Sequence, residues 1–162
     1  SEGGAGLTLE AAAREAGVSK GGLLYHFPNK EALIAGMIDQ ICADFDAAIE
    51  RELADDAAPG PGRWVRAYVR LSCDVDAQPL DVLYAALMAA IGTNVALLEP
   101  LRAAFDRWQR RAVDDGLDPA LATLVRLAAD GLWYADLMGF APPDAALRAQ
   151  VCARLIALAD TY

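Results

Sequence analysis

Residues 8–33 read TLEAAAREAGVSKGGLLYHFPNKEAL, and the spacing inside this stretch decides the fold. Ala13 is followed four residues later by Gly17, and Leu23 comes six residues after that. Two helices that cross steeply over a three-residue turn need a small side chain where their backbones approach. They also need a residue that tolerates positive φ at the turn, and apolar anchors beyond it. Ala13, Gly17 and the pair Val18 and Leu23 fill those places in order, so the spacing predicts a helix-turn-helix. Thr8 and Ser19 are the expected caps of its helices, which run through Ala16 and from Lys20 to about Tyr25. A hydroxyl there accepts a backbone N–H that the first helical turn leaves unpaired. The second helix then presents Ser19, Lys20, Gly21 and Gly22 outward. A hydroxyl, a cation and unobstructed backbone N–H groups suit phosphate oxygens and the edge of a major groove.

Working outward, Pro28 stops the second helix and Asn29 caps a long one. In it Leu33, Ile34, Met37, Ile38, Ile41, Cys42, Phe45 and Ile49 recur at three- and four-residue spacing, which marks one face as core. Asp55 to Gly62, with its prolines and glycines, reads as a loop. Helical patterns follow at about Arg63 to Asp76, Pro79 to Ile91, Leu97 to Asp115, Pro119 to Met138 and Pro143 to Ala159. Gly116 supplies a stop, and Asp118 followed by Pro119 a cap with a first-turn proline. No alternating apolar and polar run suggests a strand, so the fold class is all-α.

Composition agrees. The chain has 162 residues, 56% of them hydrophobic and 23% charged, enough for a packed core without metal or disulfide staples. Cys42, Cys73 and Cys152 lie far apart and face a single histidine, which predicts buried thiols rather than a disulfide framework or a zinc site. The longest nearly uncharged apolar stretch, Val82 to Ile91, is about half of the ~20 residues a membrane span needs. Ser1 to Gly6 has no signal-peptide hydrophobic segment, so a cytoplasmic protein with no membrane partner is expected. The net charge is −9, but residues 8–30 carry Arg14, Lys20 and Lys30 against Glu10 and Glu15. That stretch is therefore +1 and the remainder −10, and an anion-binding surface must lie near the N-terminus.

The quoted stretch, above all Gly-Val-Ser-Lys-Gly followed by Tyr-His-Phe-Pro-Asn-Lys-Glu-Ala-Leu, closely resembles the DNA-binding segment of the TetR (tetracycline-repressor-like) family. The resemblance covers about 26 residues directly and implies an N-terminal helix-turn-helix domain (residues 1–50, with the connecting helix). A helical effector-binding and dimerisation domain (residues 51–162) is implied beyond it. The family's DNA-binding domain begins with a further helix that Ser1 to Gly6 is too short to supply, so a full-length chain is expected to carry an amphipathic, basic helix there. By resemblance, Thr8 contacts phosphate, Ser19, Lys20, Gly21 and Gly22 contact the groove or backbone, and Tyr25, His26 and Lys30 contact phosphate. No cofactor or metal is implied.

A reading head of this size covers few base pairs, so useful specificity calls for two copies on a palindromic operator and hence a homodimer. The last two helices are the candidate interface. Leu121, Leu124, Val125, Ala128 and Leu132 recur on one, and Leu147, Val151, Leu155 and Leu158 on the other. Large side chains on the intervening helices default to core, yet alanine-rich helices carrying a few aromatics can leave a cavity. Tyr68, Tyr84, Met88, Phe105 and Trp108 are its candidate lining. Asp130 and Tyr134, four apart with Gly131 between them, would add polar groups. The function expected is a ligand-responsive repressor of transcription. An enzyme is disfavoured, because the one histidine lies in the motif and no P-loop, dinucleotide fingerprint or H-E-x-x-H occurs. Carboxylate pairs such as Asp74/Asp76 and Asp114/Asp115 read as solvated charge at helix ends. The remaining alternative is a dimeric helical small-molecule-binding module without DNA binding.

Overall fold

Several helices start where a local acceptor closes the first turn. A computed structural model describes residues 8–56, 60–74 and 80–160, which form eight α-helices. These are α1 Leu9–Glu15, α2 Lys20–His26, α3 Lys30–Asp55, α4 Arg63–Cys73, α5 Leu80–Thr93, α6 Glu99–Val113, α7 Pro119–Met138 and α8 Ala145–Ala159. No strand occurs among the described residues. The expected additional N-terminal helix, and Asp76, lie outside them. Thr8, Ser19, Asn29 and Asp118 each accept a backbone N–H three residues on, at 2.8–3.1 Å, as their positions predict. Two boundaries differ from the sequence reading. Leu97 and Leu98 belong to a short 3-10 turn, Val95–Leu98, because Asn94 accepts from Ala96 N and starts that turn ahead of α6. Likewise α8 starts at Ala145 rather than Pro143, because Asp144 accepts from Leu147 N at 2.8 Å.

The chain divides into two units, residues 1–43 with 81–104 and residues 44–80 with 105–162. In the first, Ala13, Leu23 and Leu33 form a buried cluster, with Leu9, Ala12, Phe27 and Met37 packed around it. Ile34, Ile38 and Cys42 continue the buried face of α3. Val18, expected as an anchor, is 48% exposed instead. Of the two expected anchors, Leu23 is the one that is buried, at 8% exposure.

In the second unit α4 is the central helix. Trp64, Val65, Ala67, Tyr68 and Val69 are all buried, and α7 and α8 pack against it. Its N-terminus has no cap of its own, since Gly62 carries no side chain. Asp115 supplies one from 50 residues away, accepting from Trp64 N at 3.1 Å and Val65 N at 2.9 Å. Asp115 is thus a structural acceptor and not only the solvated end-charge that its place in the sequence suggests. The buried Arg66 donates to Pro61 O at 3.0 Å and to Ala159 O at 3.3 Å, and its guanidinium lies 3.3 Å from Asp160 Oδ1. The acidic run on the second half of α3 is partly paired as well: Asp46 meets Arg107 and Trp108, and Glu50 meets Arg111.

The expectation of three unlinked thiols is overturned. Cys73 and Cys152 are joined by a disulfide across 79 residues, with their Cα atoms 6.3 Å apart, while the buried Cys42 takes no part. Spacing along the chain carries no information about which residues two packed helices bring side by side, so counting along the sequence could not find this bond.

Candidate functional site

Turn chemistry aims α2. The C-terminus of α1 closes in a Schellman motif: Val18 N donates to Ala13 O at 3.0 Å and Gly17 N to Arg14 O at 3.2 Å, with Gly17 at φ +66°. Ser19 then starts α2 by accepting from Gly22 N at 3.0 Å, which fixes the hydroxyl while leaving its proton free to donate outward. Thr8 does the same for α1, through Ala11 N at 3.1 Å. Beneath α2, Phe27 lies against Gly36 so closely that a Cβ built on Gly36 would stand 2.6 Å from the ring. The sequence reading missed this contact, because nothing local distinguishes a glycine inside a helix that admits an aromatic from one that merely weakens it.

The outward face of this unit carries the expected residues together. Ser19, Lys20, Gly21, Gly22, Tyr25 and His26 are exposed and Lys30 is half-buried. Tyr25 is 85% exposed and its ring stands edge-to-face with that of His26, at 5.1 Å between centroids. An aromatic packed onto the connecting helix would be covered, so its side chain is available to a partner. Lys20 pairs with Glu10 of α1, and the hydrogen bond from that ammonium lowers the Glu10 carboxyl from its ordinary value.

A second cluster lies in the other unit. The Tyr68 hydroxyl donates to Asp130 Oδ1 at 2.6 Å, Arg126 donates to Asp130 Oδ2 at 2.5 Å, and Arg126 Nε donates to Gln109 Oε1 at 2.6 Å. Gln109 in turn donates to Thr123 Oγ1 at 2.8 Å. Around this network stand Phe45, Trp108, Phe105 and Tyr134, with neighbouring ring centroids 5.0–6.5 Å apart. Burial raises the Asp130 carboxyl above its ordinary value, against the Tyr68 hydrogen bond and the Arg126 charge. Burial, reinforced by Asp130, holds the Tyr68 phenol well above its usual range. Tyr68, Phe105, Trp108, Asp130 and Tyr134 of the expected lining therefore come together. Tyr84, exposed, and Met88, half-buried, lie on α5 in the first unit. Arg126, Gln109 and Phe45 were not foreseen as members. Among the described residues no group of His, Cys, Asp and Glu gathers as a metal site.

The family description "Tetracyclin repressor-like, C-terminal domain" matches residues 62–160, and "Bacterial regulatory proteins, tetR family" matches residues 1–37. The chain belongs to the TetR family. Its similar relatives include the HTH-type transcriptional regulator RutR of Escherichia coli strain K12 and that of Shigella flexneri. Each is 41% identical over 70 residues, 43% of this chain and 32% of the relative, so the match spans about a third of those proteins.

On the last two helices of this TetR-family chain, Leu124 is 66% exposed, Leu147 51% and Leu158 47%, and Ala128 is exposed beside them. Leu121, Leu132 and Val151 are half-buried. Val125 and Leu155 are buried in their own chain, because their helix faces turn inward. Leu127, 52% exposed, joins the outward set that the sequence reading did not include. No helix among the described residues is long and apolar enough to cross a membrane.

Proposed function

We propose that this chain is a cytoplasmic, ligand-responsive repressor of transcription that binds a palindromic operator as a homodimer, and not an enzyme. The observation that carries this reading is the exposed face of α2, where Ser19, Lys20, Tyr25 and His26 stand free of the core while Leu23 anchors the helix from behind. Phosphate oxygens would take the place of the Glu10 carboxylate on Lys20. Both side chains of this pair are exposed and the pair is screened by solvent, so the exchange costs little. Thr8 and Lys30 would add phosphate contacts, and Gly21 and Gly22 would let the backbone approach. Residues 1–50 form the reading and connecting part in this account, and residues 51–162 the effector and dimer part.

Two copies would meet across the outward leucines of α7 and α8, holding the two α2 helices about 34–36 Å apart or a multiple of it. The aromatic shell around Tyr68 and Asp130 is the proposed effector region, with Asp130 and Arg126 as its polar anchors. An effector favouring one spacing of the α2 helices would weaken operator binding by ~5–150-fold.

A mobility shift of the full-length protein on the DNA upstream of its own gene tests this reading. A retarded complex is expected at low ionic strength, and Lys20→Ala is expected to weaken it. No complex at all would favour a dimeric small-molecule-binding module without DNA binding, and a complex indifferent to Lys20→Ala would overturn the assignment of the α2 face.

A further inference from the structure

Helices α4 and α8 run antiparallel in a common register. Arg66, near the start of α4, reaches Ala159 O and Asp160 Oδ1 at the end of α8, each at 3.3 Å. Seven residues on along α4 is Cys73, and seven residues back along α8 from Ala159 is Cys152, its disulfide partner. The pair of helices is therefore tied at two points about two turns apart. The tie at Arg66 is noncovalent and centred on a buried guanidinium, whereas the tie at Cys73 is a covalent bond that a thiol can open.

Three features suit the bond to opening and closing in the folded chain. Helices α4 and α8 pack together and share the buried Arg66–Ala159 hydrogen bond, while Val65 and Val69 on α4 and Leu155 and Ala159 on α8 are buried. Cys73 is the last residue of α4 and half-buried, next to the exposed Asp74, while Cys152 is buried. Finally, a protein that works on DNA works where thiols are kept reduced, and disulfides found there are mostly transient and redox-sensing. This last point rests on the DNA-binding reading above.

We propose that Cys73 and Cys152 are a reversible oxidation site whose oxidant is a hydroperoxide and whose reductant is a low-molecular-weight thiol. The more accessible Cys73 thiolate attacks the outer peroxide oxygen, the O–O bond breaks and an alcohol leaves, giving a sulfenic acid. The Cys152 thiolate then attacks the Cys73 sulfur and water leaves. Two thiols and one hydroperoxide thus become one disulfide, one alcohol and one water, with both electrons passing from sulfur to the peroxide. Two reductant thiols reverse the step and leave as their own disulfide. Closing the bond fixes the end of α4, which carries Tyr68, to α8, which carries the outward Leu147 and Leu158.

The full chain, folded and without denaturant, tests this with intact mass, peptide mapping and thiol counting, Cys42 serving as internal reference. Excess glutathione is expected to open the bond and expose the Cys73 and Cys152 thiols, with a gain of two hydrogens. One equivalent of cumene hydroperoxide is expected to close it again, over repeated cycles. A bond that survives glutathione and opens only in denaturant would overturn the proposal and mark a permanent cross-link. So would thiols that the peroxide carries to sulfinic acid without forming the bond. In parallel, operator affinity of the two forms is expected to differ by ~5-fold or more. Equal affinities would overturn the coupling to DNA. Absence of DNA binding in both forms would instead overturn the DNA-binding reading, and the thiol cycle, read without DNA, separates the two failures.

Discussion

The Tyr68 hydroxyl on α4 donates to Asp130 on α7 at 2.6 Å, deep inside the aromatic shell of the second unit. That one bond links the central helix to α7 and occupies the carboxylate oxygen that Arg126 does not. Removing the donor would leave a buried oxygen unpaired, a penalty of about 1–3 kcal/mol. Tyr68→Phe, which keeps the ring, is therefore expected to lower unfolding free energy by that amount in urea. A change within about 0.5 kcal/mol would show that water replaces the hydroxyl and that the site is open to solvent.

The same carboxylate sets a pH dependence. Burial raises the folded-state value of Asp130 above the ordinary 3.8, so the folded chain holds this proton to higher pH than the unfolded chain. The group's contribution is then complete below the ordinary value and is lost as pH rises through the raised one. The stability of the wild type relative to Asp130→Asn should fall from acid towards neutral pH. Chemical denaturation of both proteins across that range would contradict the assignment if the wild type gained on the variant instead.

Gly17 and Gly62 separate conformational strain from steric exclusion. Both lie in the left-handed region, at φ +66° and +79°. A Cβ on Gly17 would meet nothing within 4 Å, whereas one on Gly62 would stand 2.3 Å from Ala159 O. Gly17→Ala should cost only the left-handed penalty of about 1–2 kcal/mol. Gly62→Ala should cost about 3 kcal/mol or more, because the end of α8 must move as well. Similar melting temperatures for the two variants would mean that α8 yields easily at Gly62.

These pairs also show where the sequence was readable. Thr8, Ser19, Asn29 and Asp118 cap helices within three residues of themselves, so their roles follow from local chemistry alone. The 3.6-residue period of α3 likewise announced Leu33, Ile34, Ile38 and Ile49 as core, and all are buried. The helix-turn-helix was legible for the same reason, apart from Val18. What could not be read depends on residues far apart in the chain. Asp115 caps α4 from 50 residues away, Arg66 meets Ala159 across 93, and Cys73 meets Cys152 across 79. Arg126 was hidden in another way. A charged residue within an apolar helix pattern reads as its solvent face until a partner such as Asp130, one turn on, makes its burial affordable.

The most direct test of the central claim, that the face around α2 neutralises DNA phosphates, is the salt dependence of operator binding by the full-length protein. Log affinity is expected to fall linearly and steeply with log salt. Lys20→Ala is expected to flatten the slope by about one unit for each Lys20 in the bound assembly. A wild-type slope near zero, or a slope that Lys20→Ala leaves unchanged, would contradict the claim.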